Sequence, residues 1–121
     1  MRYMMLIYSR EGQSTPEQDK EIALRHRTVM SEAKERGIFH GAEPLQPTTT
    51  AITVRTNGDG QALATDGPFA ETKEQLAGYY ILDCETIEEA IEWAGKIPTG
   101  CLGTDGCIEI RPIRTMTIAN A

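Results

Sequence analysis

The groups in this 121-residue chain best placed for acid–base or binding chemistry are one helix-borne histidine, one aspartate on a tight turn, and a run of charge after it. His26 follows Ile22 by four residues and precedes Met30 by four, so on a helix the three share one stripe. An imidazole on an apolar stripe is partly desolvated, titrates near neutrality and can take or give a proton. The architectural alternative is a core histidine satisfied by a backbone carbonyl. Asp66 opens the second feature, Asp66-Gly67-Pro68-Phe69. Gly67 takes positive φ at little steric cost, and Pro68 fixes its own φ while pushing Gly67 away from the helical region. Phe69 offers an apolar anchor. The expectation is a stiff, pinned loop presenting the Asp66 carboxylate, the kind of loop on which binding groups are held. The plainer reading is a turn whose aspartate caps backbone N–H groups.

Glu71, Lys73 and Glu74 form a charge run that suits a solvated face or, alternatively, ligands for a polar substrate. Tyr79 and Tyr80 fall on opposite faces of one strand, so one belongs to the core and the other lines a pocket or a subunit seam. Arg111 supplies a bidentate anion site if it faces a cleft, and a surface ion pair otherwise. His40 alternates with Phe39, which sends one of the two to water. There is no GxGxxG or GxxxxGK[ST] loop, no GxSxG elbow and no clustered His/Cys/carboxylate set, so neither a cofactor nor a metal is expected.

These residues need elements to position them. Met4 to Tyr8 is an apolar run too short for a helix and suits a buried strand. Thr15-Pro16-Glu17-Gln18 starts a helix: Thr15 caps, Pro16 fits the first helical position, and Gln18 completes a capping box. Ile22, Val29, Met30 and Ala33 mark its inner face and Gly37 closes it. Ile38 to Ala42 reads as a short strand, Thr50 to Thr56 as a half-buried one, and Asn57-Gly58-Asp59-Gly60 as a hairpin turn returning through Gln61 to Thr65. Gly78 to Leu82 is a further β segment. Thr86-Ile87-Glu88-Glu89 starts a second helix ending near Lys96, with Ile87, Ala90, Ile91 and Ala94 inward, and Cys107 to Ile113 is the last strand. The order β-α-β-(hairpin)-β-α-β predicts an α+β fold: a ferredoxin-like antiparallel sheet with two helices on one face and an inserted β-hairpin. The uncovered sheet face would expose an apolar patch, and a homodimer burying two such faces together is the natural solution.

Composition sets the outer bounds. The length suits one domain over residues 1–121, and roughly two thirds of the unfolded surface is expected to be buried. A net charge of −6, with lysine and arginine scattered, disfavours direct nucleic-acid binding. Arg2 through Tyr8 is too short for a signal core, and no apolar stretch is long enough to span a bilayer, so a cytoplasmic location is expected. Cys84, Cys101 and Cys107 form no CxxC pair and read as ordinary reduced cysteines.

The stretch Asp66-Gly67-Pro68-Phe69-Ala70-Glu71-Thr72-Lys73-Glu74-Gln75-Leu76-Ala77-Gly78-Tyr79-Tyr80 resembles the signature of the YCII-related proteins of the DGPF type. Three further blocks extend the likeness over nearly the whole chain: Arg2 to Tyr8, Gly41 to Pro47 and Ile108 to Pro112. The resemblance implies small bacterial proteins of mostly unassigned function that form dimeric α+β barrels with a cleft near each subunit's first helix. It implies that His26 inherits the role of a cleft histidine paired with an aspartate. The aspartate of better-studied members lies in an Asp-Pro step after the second helix, and here that step is Ile97-Pro98. A hydrocarbon cannot orient an imidazole, so Asp66 is the replacement partner to be examined. Two functions follow: a small-molecule-binding protein, with His26 as general acid/base on a small polar or aromatic substrate met by Phe69, Glu71, Lys73, Tyr79 and Arg111; or a non-enzymatic adaptor associated with an extracytoplasmic-function sigma factor.

Overall fold

Strict alternation along the first strand divides the protein into a covered and an uncovered side. A computed structural model describes residues 1–99 and 105–116, and Cys101 lies outside the described residues. In β1 (Arg2–Ser9), Tyr3, Met5 and Ile7 are buried while Met4 and Leu6 between them are only half-buried. The remaining elements are α1 (Pro16–Glu35), β2 (Phe39–Pro44), β3 (Ile52–Thr56), β4 (Ala62–Asp66), β5 (Gln75–Asp83), α2 (Ile87–Ala94) and β6 (Cys107–Pro112). Four strands form one sheet in the order β2-β5-β1-β6, every neighbouring pair antiparallel, and β3 and β4 pair only with each other. Each of the two β-α-β units brackets a strand of the other, which is the ferredoxin-like arrangement expected from the element order.

Local chemistry explains the element boundaries. The Thr15 hydroxyl accepts from the Gln18 N–H at 3.2 Å while the Gln18 side chain accepts from the Thr15 N–H at 2.8 Å, a complete capping box with Pro16 at the first helical position. At the other end Gly37 adopts φ +71°, and the Gly37 and Ile38 N–H groups donate to the carbonyls of Lys34 and Ala33, the paired bonds of a Schellman stop. The hairpin turn is held by Asn57, whose side-chain oxygen accepts from the N–H groups of Asp59 and Gln61, both at 3.0 Å. A short 3-10 turn at Thr48–Thr50 precedes β3, where the sequence suggested the start of the strand itself.

The core lies between the inner sheet face and the two helices. Val29 and Ala33 of α1 and Ala90 and Trp93 of α2 pack on Tyr3, Met5, Tyr80 and Leu82. The second helix is rotated from its expected setting: Ile87 and Ile91 are 41% and 57% exposed, and the buried line runs instead through Ala90, Trp93 and Ile97. The indole is the largest apolar group on α2, and turning it inward leaves the two isoleucines outside; Lys96 covers the ring with its ammonium 4.5 Å from the centroid. Trp93→Ala is therefore expected to cost about 3–5 kcal/mol in denaturant unfolding, whereas Ile91→Ala costs less than about 0.5 kcal/mol. Equal costs would mean that α2 is turned the other way.

Candidate functional site

The inner stripe of α1 does two jobs. Val29 and Ala33 seal the core, while Asp19, Ile22, His26 and Met30 border a cleft of about 460 Å³. Asp19, Ile22, Ala23, His26 and Met30 line one wall at helical spacing, and the ends of β1 and β2 with the middle of β5 line the other. Ser9 at the end of β1, Arg10 just after it, and Ser14, which precedes α1, also line it. Pro98 closes a further side.

His26 meets Tyr80 across this cleft. The ring Nδ1 and the tyrosine hydroxyl are 2.7 Å apart, and the same hydroxyl lies 3.4 Å from the His26 backbone carbonyl. The rings are tilted by 33° with centroids 5.7 Å apart. Two proton arrangements fit this geometry. In one, Tyr80 donates to Nδ1, and Nε2 carries the ring proton as a donor. In the other, Nδ1–H donates to the tyrosine oxygen, the hydroxyl donates to the backbone carbonyl, and Nε2 is a bare proton acceptor. Nε2 has no protein hydrogen-bond partner among the described residues. The pair thus holds the ring while leaving one nitrogen free for acid or base work on whatever enters.

Burial sets the charge state of both groups. Desolvation lowers the His26 pKa below its ordinary value of 6.5, so the imidazole is neutral at pH 7. It pushes the Tyr80 hydroxyl up to about 12, so that group keeps its proton. No carboxylate is among the causes of the histidine shift.

The other sequence candidates are distributed over the molecule. Asp66 ends β4, with its backbone opposite Ile52, and is exposed outside the cleft lining of this chain. Gly67 takes φ +100°, as the turn chemistry requires. Phe69 is not the anchor expected of it, being 80% exposed; the loop is pinned instead by the Gly67 N–H donating to Ala51 at 2.7 Å and by the Thr53 hydroxyl donating to the Gly67 carbonyl at 2.8 Å. Glu71 and Lys73 are exposed on the segment that follows. Tyr79 borders the cleft but alternates with Tyr80 and pairs with Leu6 on the outer sheet face; Arg111 lies on that face too, opposite Met4. His40 is exposed, with Nε2 3.7 Å from Asp83. Ile97, at the position of the familiar Asp-Pro step, is 5% exposed in the core while Pro98 reaches the cleft. Among the described residues no group of three or more histidine, cysteine or acidic side chains is arranged to hold a metal.

Sequence reasoning put His26 on the correct stripe but missed Tyr80 as its partner, and missed Arg10, Ser14 and Asp19 altogether. Asp19 was discoverable: it continues the Ile22–His26–Met30 line by one more turn. Tyr80 is fifty-four residues from His26 in the chain, and only strand register brings it there.

The neutral histidine makes a pH prediction with a definite sign. A folded-state pKa below 6.5 means that the unfolded chain binds more protons in the window between the two values. Stability is therefore full above about pH 6.5 and falls as pH drops through the folded pKa. His26→Gln should flatten that part of the pH profile in urea unfolding. Tyr80→Phe should cost about 1 kcal/mol and leave the fold intact.

Residues 1–117 match the YCII-related domain. The chain is also 35% identical over 116 residues to an uncharacterized protein of Rhizobium meliloti (strain 1021), covering 93% of this chain and 92% of the relative. With the antiparallel sheet, the two covering helices and the helix-borne histidine in place, this chain belongs to the YCII-related family.

Proposed function

We propose that this protein binds a small molecule in the α1 cleft and uses His26 as a general acid/base upon it. The observation that carries this reading is the His26–Tyr80 contact inside a cleft of about 460 Å³, within the size range of small-ligand sites. His26 spends one ring nitrogen on the protein and leaves the other without a protein partner among the described residues. A substrate held against Nε2 would exchange a proton with a neutral ring, the state suited to a base at pH 7. Elimination and isomerisation of a polar or aromatic compound need no more than this from the protein.

The working unit in this proposal is a homodimer of the DGPF type. Met4, Leu6, Tyr79 and Ile81 share the outer sheet face, with no helix among the described residues over them. The β3–β4 hairpin adds Ile52, Val54 and Leu63, at 65%, 60% and 53% exposed. A two-stranded hairpin is marginal by itself, which supports packing against a second copy. Such packing is also the arrangement in which Asp66, Phe69, Glu71 and Lys73 would approach a cleft and Asp66 would join His26.

The same exposed hairpin and Phe69 favour the second reading, an adaptor that docks on a protein such as an extracytoplasmic-function sigma factor. One set of measurements separates the two. A small-molecule screen by NMR should find ligands that shift the His26 ring signals, and His26→Asn should abolish any turnover of those ligands while sparing the fold. Light scattering should give twice the 13.4 kDa chain mass. A monomer whose His26 signals respond to no compound, but whose hairpin signals vanish on adding a sigma factor, would support the adaptor.

A further inference from the structure

The reading of the cleft as a ligand site leaves open what kind of molecule it takes, and the charged groups of its lining narrow the choice. Arg10, Asp19 and Glu43 are the one basic and two carboxylate side chains named in the lining. Glu43 stands opposite Tyr79 in the β2–β5 register, while its neighbour Ala42 stands opposite the inward Tyr80. Alternation therefore sends the Glu43 carboxylate to the outer face, and this residue meets the cleft through its backbone. The Asp19 carboxylate already accepts a hydrogen bond from the Ser14 hydroxyl at the start of α1. Arg10 differs from both. It makes no hydrogen bond or ion pair among the described residues, and the carboxylate beside it in sequence, Glu11, is occupied by Thr48, accepting from its N–H at 2.8 Å and its hydroxyl at 3.0 Å.

An arginine presents five N–H donors in a planar fork that matches a carboxylate in two parallel bonds. Ile7, Ile22, Ala23 and Met30 form an apolar stretch of the same lining, alongside the His26–Tyr80 pair. We propose that the cleft selects small monocarboxylic acids with an apolar or aromatic body, the acid group held by Arg10 and the body lying along the apolar wall beside His26. The Asp19 charge works against dianions such as phosphate esters, so a single negative charge fits best. This inference rests on the proposed function and assigns its substrate class.

Three probes of one shape test it: phenylacetate, phenylacetamide and phenethylammonium, titrated into the full chain while the His26 ring signals are followed by NMR. Phenylacetate should bind roughly tenfold more tightly than phenylacetamide, as expected for one added charge-assisted contact, and phenethylammonium more weakly than either. Arg10→Gln should remove the preference for the acid and leave the phenylacetamide affinity unchanged. Arg10 is exposed, so the variant is expected to fold as the parent does. Equal binding of acid and amide, tighter binding of the amine, or a preference for acid that survives Arg10→Gln would overturn the substrate class while leaving the cleft as a ligand site. If none of the three moves the His26 signals at millimolar concentration, the site itself is overturned along with it.

Discussion

The packing of α1 across β5 is the constraint on which the rest depends. At one end the helix is sealed against the sheet by Val29 and Ala33, both almost fully buried. The same helix lines a cleft through Ile22, His26 and Met30, and His26 is bonded there to a tyrosine of β5. That position gives the imidazole both of its properties. Proximity to the core strips water from the ring and keeps it neutral, and proximity to the cleft leaves one nitrogen exposed to a guest.

The partner of His26 in this chain is a tyrosine hydroxyl and not a carboxylate, and that has a consequence for its charge. An aspartate would stabilise the imidazolium and raise the histidine pKa. A tyrosine hydroxyl that keeps its proton up to about pH 12 brings no charge, so desolvation prevails and the ring stays neutral. Because the hydroxyl can face either Nδ1 or the His26 carbonyl, the pair accommodates either ring tautomer without moving a heavy atom.

Much of this was legible in the chain because it is encoded locally. The capping box at Thr15 and Gln18, the Gly37 stop, the Asn57 turn and the Asp-Gly step at residue 67 each depend on neighbours within five residues, and each forms as its chemistry dictates. The alternating burial of β1 and the His26 stripe follow from simple periodicities. What failed to show was non-local. The rotation of α2 depends on where the core has room for Trp93, which no helical wheel reveals, and Tyr80 was separable from Tyr79 only once β5 had been registered against β1 and β2. Phe69 failed for a related reason: a large apolar side chain implies a partner surface, and the described residues supply none, leaving it 80% exposed.

The central claim is that a neutral His26, held at Nδ1 by Tyr80, offers Nε2 to the cleft. Nitrogen-15 NMR of the imidazole across a pH titration tests it most directly. The account predicts a His26 pKa below 6.5 and a tautomer balance that changes when Tyr80 is replaced by phenylalanine, with the backbone spectrum otherwise preserved. A His26 that titrates at or above 6.5, or whose ring signals ignore Tyr80→Phe, would contradict it.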